Sequence, residues 1–122
     1  MRLIAMLVFL SCLPFPTAVA FNSYRFGYGL KDAFWRTLMT PFEGSVWAPG
    51  FSEAAFSKVK IGMHSSEVFQ LLGAPIRNPN GLTGSIWMYT WQETGSADFD
   101  QRWLDFDPSG HVKEIRKSFF ID

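Results

Sequence analysis

Residues 58–75 read KVKIGMHSSEVFQLLGAP, and this stretch says more about the fold than any other part of the 122-residue chain. Val68, Leu71 and Leu72 recur at the i, i+3, i+4 spacing of one apolar helix face, after Gly62 and Met63 have interrupted an earlier helical pattern. Ser65, Ser66 and Glu67 place hydroxyls and a carboxylate beside the free N–H groups of a first helical turn. Gly73 ends the helix, because glycine reaches the left-handed conformation of a C-terminal cap without steric cost, and Pro75 keeps Ala74 out of the helical region. The spacing predicts a helix of about two turns, entered through a Gly62-Met63 corner.

Upstream, Ser52 can cap a first helix, with Glu53 in its first turn and Ala55, Phe56 and Val59 on its buried side. Downstream, the run RNPNGLTGS at residues 77–85 is too rich in Asn, Pro and Gly for regular structure and is expected to be a loop. Residues 86–91 alternate Ile86 and Met88 with Trp87, Tyr89 and Trp91, the pattern of a strand with two apolar faces. Residues 101–107 and 112–119 supply two more strands. A polar hairpin loop spans 92–100, and Pro108-Ser109-Gly110 reads as a tight turn with glycine placed for positive φ. The expected core is Met63, Val68, Leu72, Trp87, Tyr89, Leu104, Phe106 and Ile115.

The Gly-Met, Glu-Val and Leu-Gly-Ala-Pro elements are followed by Trp87-x-Tyr89, Leu104-x-Phe106-Asp107 and Gly110-x-Val112-x-x-Ile115. In order and approximate spacing this set, covering residues 51–119, resembles the SmpA/OmlA family of small outer-membrane proteins, which includes BamE-like subunits of the barrel-assembly machinery. The resemblance implies an α+β domain in which two short helices pack on one face of a three-stranded antiparallel sheet, in the order ααβββ. It also implies an envelope protein that works by binding other proteins, and a lipid anchor. His64 departs from the pattern, since the family usually places Ser or Thr at that helix cap.

The chain opens with Met1-Arg2, continues with an apolar run over residues 3–13, and reaches Ala18-Val19-Ala20 before Phe21. This is the layout of a secretory signal peptide cleaved after Ala20, with an apolar core too short to span a bilayer of roughly 30 Å. Cys12 raises the alternative of lipoprotein processing, but Phe9-Leu10-Ser11-Cys12 is a poor version of the required motif and cleavage there would leave a very short signal. Membrane attachment is therefore not expected unless Cys12 is lipidated. Residues 1–20 are read as signal peptide, 21–50 as an aromatic-rich N-terminal extension, and 51–122 as the SmpA/OmlA-like domain. Within the extension, Leu30, Phe34 and Leu38 at i, i+4, i+8 predict a short amphipathic helix ended by Pro41, expected to pack on its own domain.

Lys plus Arg number 11 and Asp plus Glu 11, so the charge of the chain as a whole implies no long-range attraction to nucleic acid or anionic lipid. Aromatic residues make up 17% of the chain, enough to build a compact core in one small domain. Asp105-x-Asp107-x-Ser109-Gly110 matches the first half of a calcium loop, but position twelve is Arg116 where a bidentate Glu is needed, and the motif sits between two strand patterns. His64 and His111, the two histidines, have no cysteine partner in a chain cleaved after Ala20. No nucleophile elbow, phosphate-binding loop, dinucleotide fingerprint or paired-carboxylate spacing is present. No catalytic residue, cofactor or metal is expected.

Two function classes follow. The first is a non-enzymatic cell-envelope interaction module, exported to the periplasm and working at the inner face of the outer membrane on envelope proteins. The alternative is a secreted ligand-binding or enzyme-inhibitor domain, because β-lactamase inhibitor proteins resemble tandem copies of a related unit. If Trp87, Tyr89, Leu104 and Phe106 face the helices, alternation turns Ile86, Met88 and Trp103 to the opposite sheet face as a partner-binding surface. The aromatic extension could instead fold across that face. The expected N-terminus of the processed chain is Phe21. Intact-mass measurement checks it, and an acylated chain beginning at Cys12 would overturn it.

Overall fold

The computed structural model describes residues 14–78, 85–93 and 98–121. The chain divides into two compact units, one ending at Phe42 and the next beginning at Glu43. The boundary read at residue 50 therefore falls inside the second unit. Residues 1–13, including Cys12 and most of the leader, lie outside the described residues.

The first unit contains helix α1 (Pro14–Phe26), helix α2 (Leu30–Leu38) and a single 3₁₀ turn at Thr40–Phe42. Pro14 and Pro16 sit in the first turn of α1, where a missing backbone N–H breaks no helical bond. The expected cleavage point after Ala20 lies within this helix. Gly27, at φ 65°, turns the chain between the helices. Fully buried Ala33 and two bonds close the hairpin: Asn22 Nδ2 donates to Thr37 Oγ1 at 2.8 Å, and Ser23 Oγ donates to the Tyr28 carbonyl at 2.7 Å. Within this unit the stripe is not covered, with Leu30 75%, Phe34 41% and Leu38 45% exposed. Small Ala33, a third of a turn away, is the residue that lets α2 pack tightly.

The second unit is α+β. Its elements are β1 (Ser45–Trp47), α3 (Glu53–Phe56), α4 (Ser65–Leu72), β2 (Ile86–Met88), β3 (Thr90–Gln92), β4 (Phe99–Phe106) and β5 (Val112–Phe120). Strands β2, β4 and β5 form a three-stranded antiparallel sheet in the order β2-β4-β5. The simple order of two helices and then three strands does not hold. Strand β1 precedes the helices and pairs antiparallel with β3 in a second, two-stranded sheet. The strand read at 86–91 is divided at Tyr89 into β2 and β3.

Thr90 accounts for the division. Its hydroxyl accepts the Arg102 N–H at 2.9 Å in place of the Tyr89 carbonyl, which a regular ladder would use, and its own carbonyl accepts Trp103 Nε1 at 2.9 Å. The backbone thus leaves the β4 ladder at Thr90 and turns towards β1, where the Tyr89 carbonyl accepts the Ala48 N–H. Strand β4 begins two residues earlier than the pattern indicated, and β5 extends one residue further. Residues 79–84 and 94–97 of the two expected loops lie outside the described residues.

The helices end as their sequences dictate. Ser52 Oγ accepts the Ala55 N–H at 3.3 Å to cap α3, and Gly73 at φ 72° closes α4. The Gly62-Met63 corner docks on β5, with Gly62 N–H donating to Val112 O and Val112 N–H to Met63 O. Register places Trp87 opposite Leu104, and Leu104 opposite Ile115. The core comprises Phe56, Val59, Val68, Leu72, Trp87, Tyr89, Leu104, Phe106 and Val112 with Ala48, and Met63 and Ile115 pack at its margin. Every residue of the expected core is included. Burial pushes the Tyr89 phenol well above its ordinary pKa, so it stays protonated and donates to the Gly73 carbonyl at 3.0 Å, tying the end of α4 to the sheet.

Arg102, on the helix-facing side of β4, has no exposed surface. Its Nε and Nη2 donate to Glu53 Oε1 at 2.9 and 2.7 Å, its Nη1 donates to the Gln101 carbonyl at 2.8 Å, and its guanidinium lies 5.8 Å from the Trp47 ring centre. Lys117 Nζ stands 3.8 Å from Glu53 Oε2. Burial holds the Lys117 ammonium below its ordinary pKa, Glu53 opposes that shift and Arg102 adds to it. A lowered lysine pKa means that folding disfavours the charged form, so the Lys117 charge subtracts from stability at neutral pH. Glu53→Ala, which takes the carboxylate from a buried guanidinium, is expected to cost about 3 kcal/mol, whereas Lys117→Met should leave stability unchanged or raised. Urea unfolding of the two variants checks both signs.

Candidate functional site

Helix α4 starts at an unusual cap. His64 has extended backbone, φ −73° and ψ 147°, and its Nδ1 accepts the Ser66 N–H at 3.2 Å while lying 2.8 Å from Ser66 Oγ. The cap reads as a poor substitute for Ser or Thr in sequence, yet the ring performs the same acceptor role. Ser65 N–H then donates to Gly110 O at 2.9 Å, which seats the helix start on the β4–β5 turn.

That turn brings the two histidines together. His64 and His111 form an antiparallel backbone bridge, and their rings meet edge to face with centres 5.1 Å apart. Gly110 sits at φ 82°, a conformation that strains any other residue, and packs against the His64 ring. Asp107 Oδ1 accepts from Ser109 Oγ at 2.6 Å, Ser109 N at 2.9 Å and His111 N at 3.0 Å. The Ser109 hydroxyl foremost, and then the His111 N–H, hold the Asp107 carboxyl below the usual carboxylate range. Ser109 Oγ also lies 2.8 Å from His111 Nδ1. The order is carboxylate, hydroxyl, imidazole. A Ser-His-Asp triad has the imidazole between the other two, whereas here the carboxylate bonds the hydroxyl and braces the turn.

Beside the cap, α4 and β2 enclose an open groove of about 440 Å³ lined by Ser65, Ser66, Phe69, Gln70 and Trp87. Phe69 stands out from the α4 stripe and is 45% exposed. Trp87 forms the buried floor, edge-on to Phe69 at 6.4 Å and packed on Phe106 at 4.8 Å. The two serines and Gln70 supply hydrogen-bonding groups at the rim. Such a site suits one or two apolar side chains of a partner, with polar groups to set their direction.

The residues proposed from strand parity lie elsewhere. Met88 and Trp103 are direct cross-strand partners, and Ile86 pairs with Asp105, so register does place the three on the sheet face opposite the helices. Met88 is 7% exposed and contributes little open surface. Trp103 is half-buried by its own chain: it stacks on Trp91 at 5.5 Å, contacts Phe99 at 6.1 Å and donates to Thr90 O. The Arg77 guanidinium covers the Trp91 ring at 4.5 Å. Asp105, Glu114 and Arg116 occupy the rest of this face, where Asp105 Oδ2 lies 3.6 Å from Lys113 Nζ and 3.9 Å from Arg116 Nη2.

Phe69 was legible only as an aromatic residue off the Val68, Leu71, Leu72 stripe, a signal that says it is outward but not what lies next to it. The histidine pair carried no local signal, because its members belong to elements joined only by the folded sheet. No protein-family model matches the chain, and no curated protein does. His64→Ala, which removes the acceptor at the start of α4, is expected to cost about 0.5–2 kcal/mol, with His64→Ser restoring most of it. Thermal melts of the two variants beside the parent check this, and equal melting of all three would mean that the imidazole does not cap.

Proposed function

We propose that the chain is a non-enzymatic interaction module of the cell envelope, exported to the periplasm and similar in role to SmpA/OmlA proteins that bind other envelope proteins. The observation that carries this reading is the groove between α4 and β2, where a large aromatic side chain remains 45% exposed beside a buried tryptophan. Phe69 meets the core edge-on at Trp87 and leaves nearly half of its surface in solvent, and an aromatic residue at the edge of a concave apolar site is a common kind of binding anchor. The body behind it is rigid: α4 is held at one end by the His64 cap and Gly110 and at the other by the Tyr89 hydroxyl. A fixed helix presents Phe69 in one orientation, which lowers the entropy lost on binding.

Under this reading the partner inserts apolar side chains over Trp87 and hydrogen-bonds to Ser65, Ser66 or Gln70. Affinity capture from an envelope extract tests it. Phe69→Ala is expected to abolish recovery of the partner proteins while the melting temperature stays within a degree or two of the parent. Recovery of the same proteins by parent and variant would remove the groove from consideration. Trp103→Ala is the contrasting variant, since loss of the Trp91 stack and the bond to Thr90 should lower the melting temperature by several degrees.

A further inference from the structure

The charge of the chain is not evenly spread. Residues 14–42 carry three basic side chains, Arg25, Lys31 and Arg36, against one acidic, Asp32, whereas residues 43–122 carry seven basic against ten acidic. A neutral chain is thus divided into a cationic helical unit and an anionic α+β unit. The cationic unit also shows apolar side chains to solvent. Leu30, Phe34 and Leu38 occupy successive turns of α2, are 75%, 41% and 45% exposed, and form one stripe because residues four apart share a helix face. Packing within the hairpin uses Ala33 and Thr37 on the adjoining face and touches the stripe at Phe34, which remains 41% exposed. Phe15 meets Phe34 edge to face at 5.5 Å, and Trp35 meets it on the other side at 5.3 Å.

We propose that the Leu30, Phe34, Leu38 stripe of α2 lies in the interfacial region of an anionic lipid bilayer. Two independent features select lipid as the occupant. The first is chemical layering: Lys31 and Trp35 border the stripe on one side, an ammonium and an indole being groups that sit among headgroups while leucine and phenylalanine enter the acyl boundary. The second is charge complementarity, since the unit has an excess of cations and the bilayer surface an excess of phosphate. Arg25 and Arg36 both lie over the Phe26 ring, at 5.0 and 4.9 Å from its centre, which holds two guanidinium groups close together on the hairpin. No helix among the described residues is long and apolar enough to cross a membrane, so the contact is one of lying on the surface. The stripe lies wholly beyond residue 20 and is present whether or not a leader is removed.

Flotation of the full chain with vesicles tests the proposal. Binding is expected to vesicles of phosphatidylcholine containing roughly a quarter phosphatidylglycerol, and to fall on the order of tenfold on pure phosphatidylcholine or in high salt. Phe34→Glu and Leu38→Glu should each lower partitioning on the order of tenfold or more with the melting temperature unchanged. Absence of binding to anionic vesicles, or equal binding by parent and variants, overturns it. So does a drop of several degrees in the variants' melting temperature, which would mean that the stripe is covered by its own chain. A parent dimer in light scattering that the variants lose would assign the stripe to a second copy and overturn it likewise. Phe69→Ala should float like the parent, so failure here and failure of the groove reading are separable.

Discussion

A guanidinium with no exposed surface is the constraint on which the second unit depends. Arg102 sits on the helix face of the central strand, where an uncompensated charge would cost several kcal/mol, so a carboxylate has to arrive there from somewhere. Glu53 supplies it from the first turn of α3, and that turn exists because Ser52 caps it. Trp47 closes the site from β1 and Lys117 borders it from β5. One buried charge therefore fixes the mutual positions of β1, α3, β4 and β5. A hydrophobic residue at 102 could pack, but it would not require α3 to stand where it does.

The second constraint is the change of hydrogen-bond partner at Thr90. Because the Thr90 hydroxyl takes the Arg102 N–H, the Tyr89 carbonyl is free to accept the Ala48 N–H at 2.9 Å and the Thr90 carbonyl to receive the Trp103 indole, and the chain bends to β1. This bend also brings Trp91 over Trp103. The sheet face that strand alternation alone leaves open is consequently filled by aromatic stacking and by the Asp105, Arg116 and Glu114 charges. On the other side of the sheet Phe69 leaves apolar surface open beside Trp87.

The first unit follows different rules. Its hairpin is closed by small and polar groups, Ala33, Asn22, Ser23 and Thr37, which allow close helix approach without a large apolar interface. Leu30, Phe34 and Leu38 are then left outward, while Phe26 is buried. A cationic unit with an outward apolar stripe and an anionic unit with an aromatic groove are two distinct binding chemistries carried on one chain.

The sequence by itself determined what depends on neighbours within a few residues. The caps at Ser52 and Gly73, the apolar stripe of α4, the Gly110 turn and all eight expected core residues are local matters of periodicity, turn geometry and side-chain acceptors, and each is present in the fold. The α+β class and the antiparallel order of three strands followed from the same patterns. Tertiary structure decided the rest. The pairing of β1 with β3, the break at Thr90, the meeting of His64 with His111 and the burial of Arg102 join residues far apart in the chain. Alternation reports that a side chain is on one face, but not what lies across from it, so Trp103 could be placed correctly and its cover missed. The groove and the outward stripe of α2 were invisible for the same reason: exposure of an apolar side chain is a property of what fails to pack against it, and only the assembled neighbours determine that.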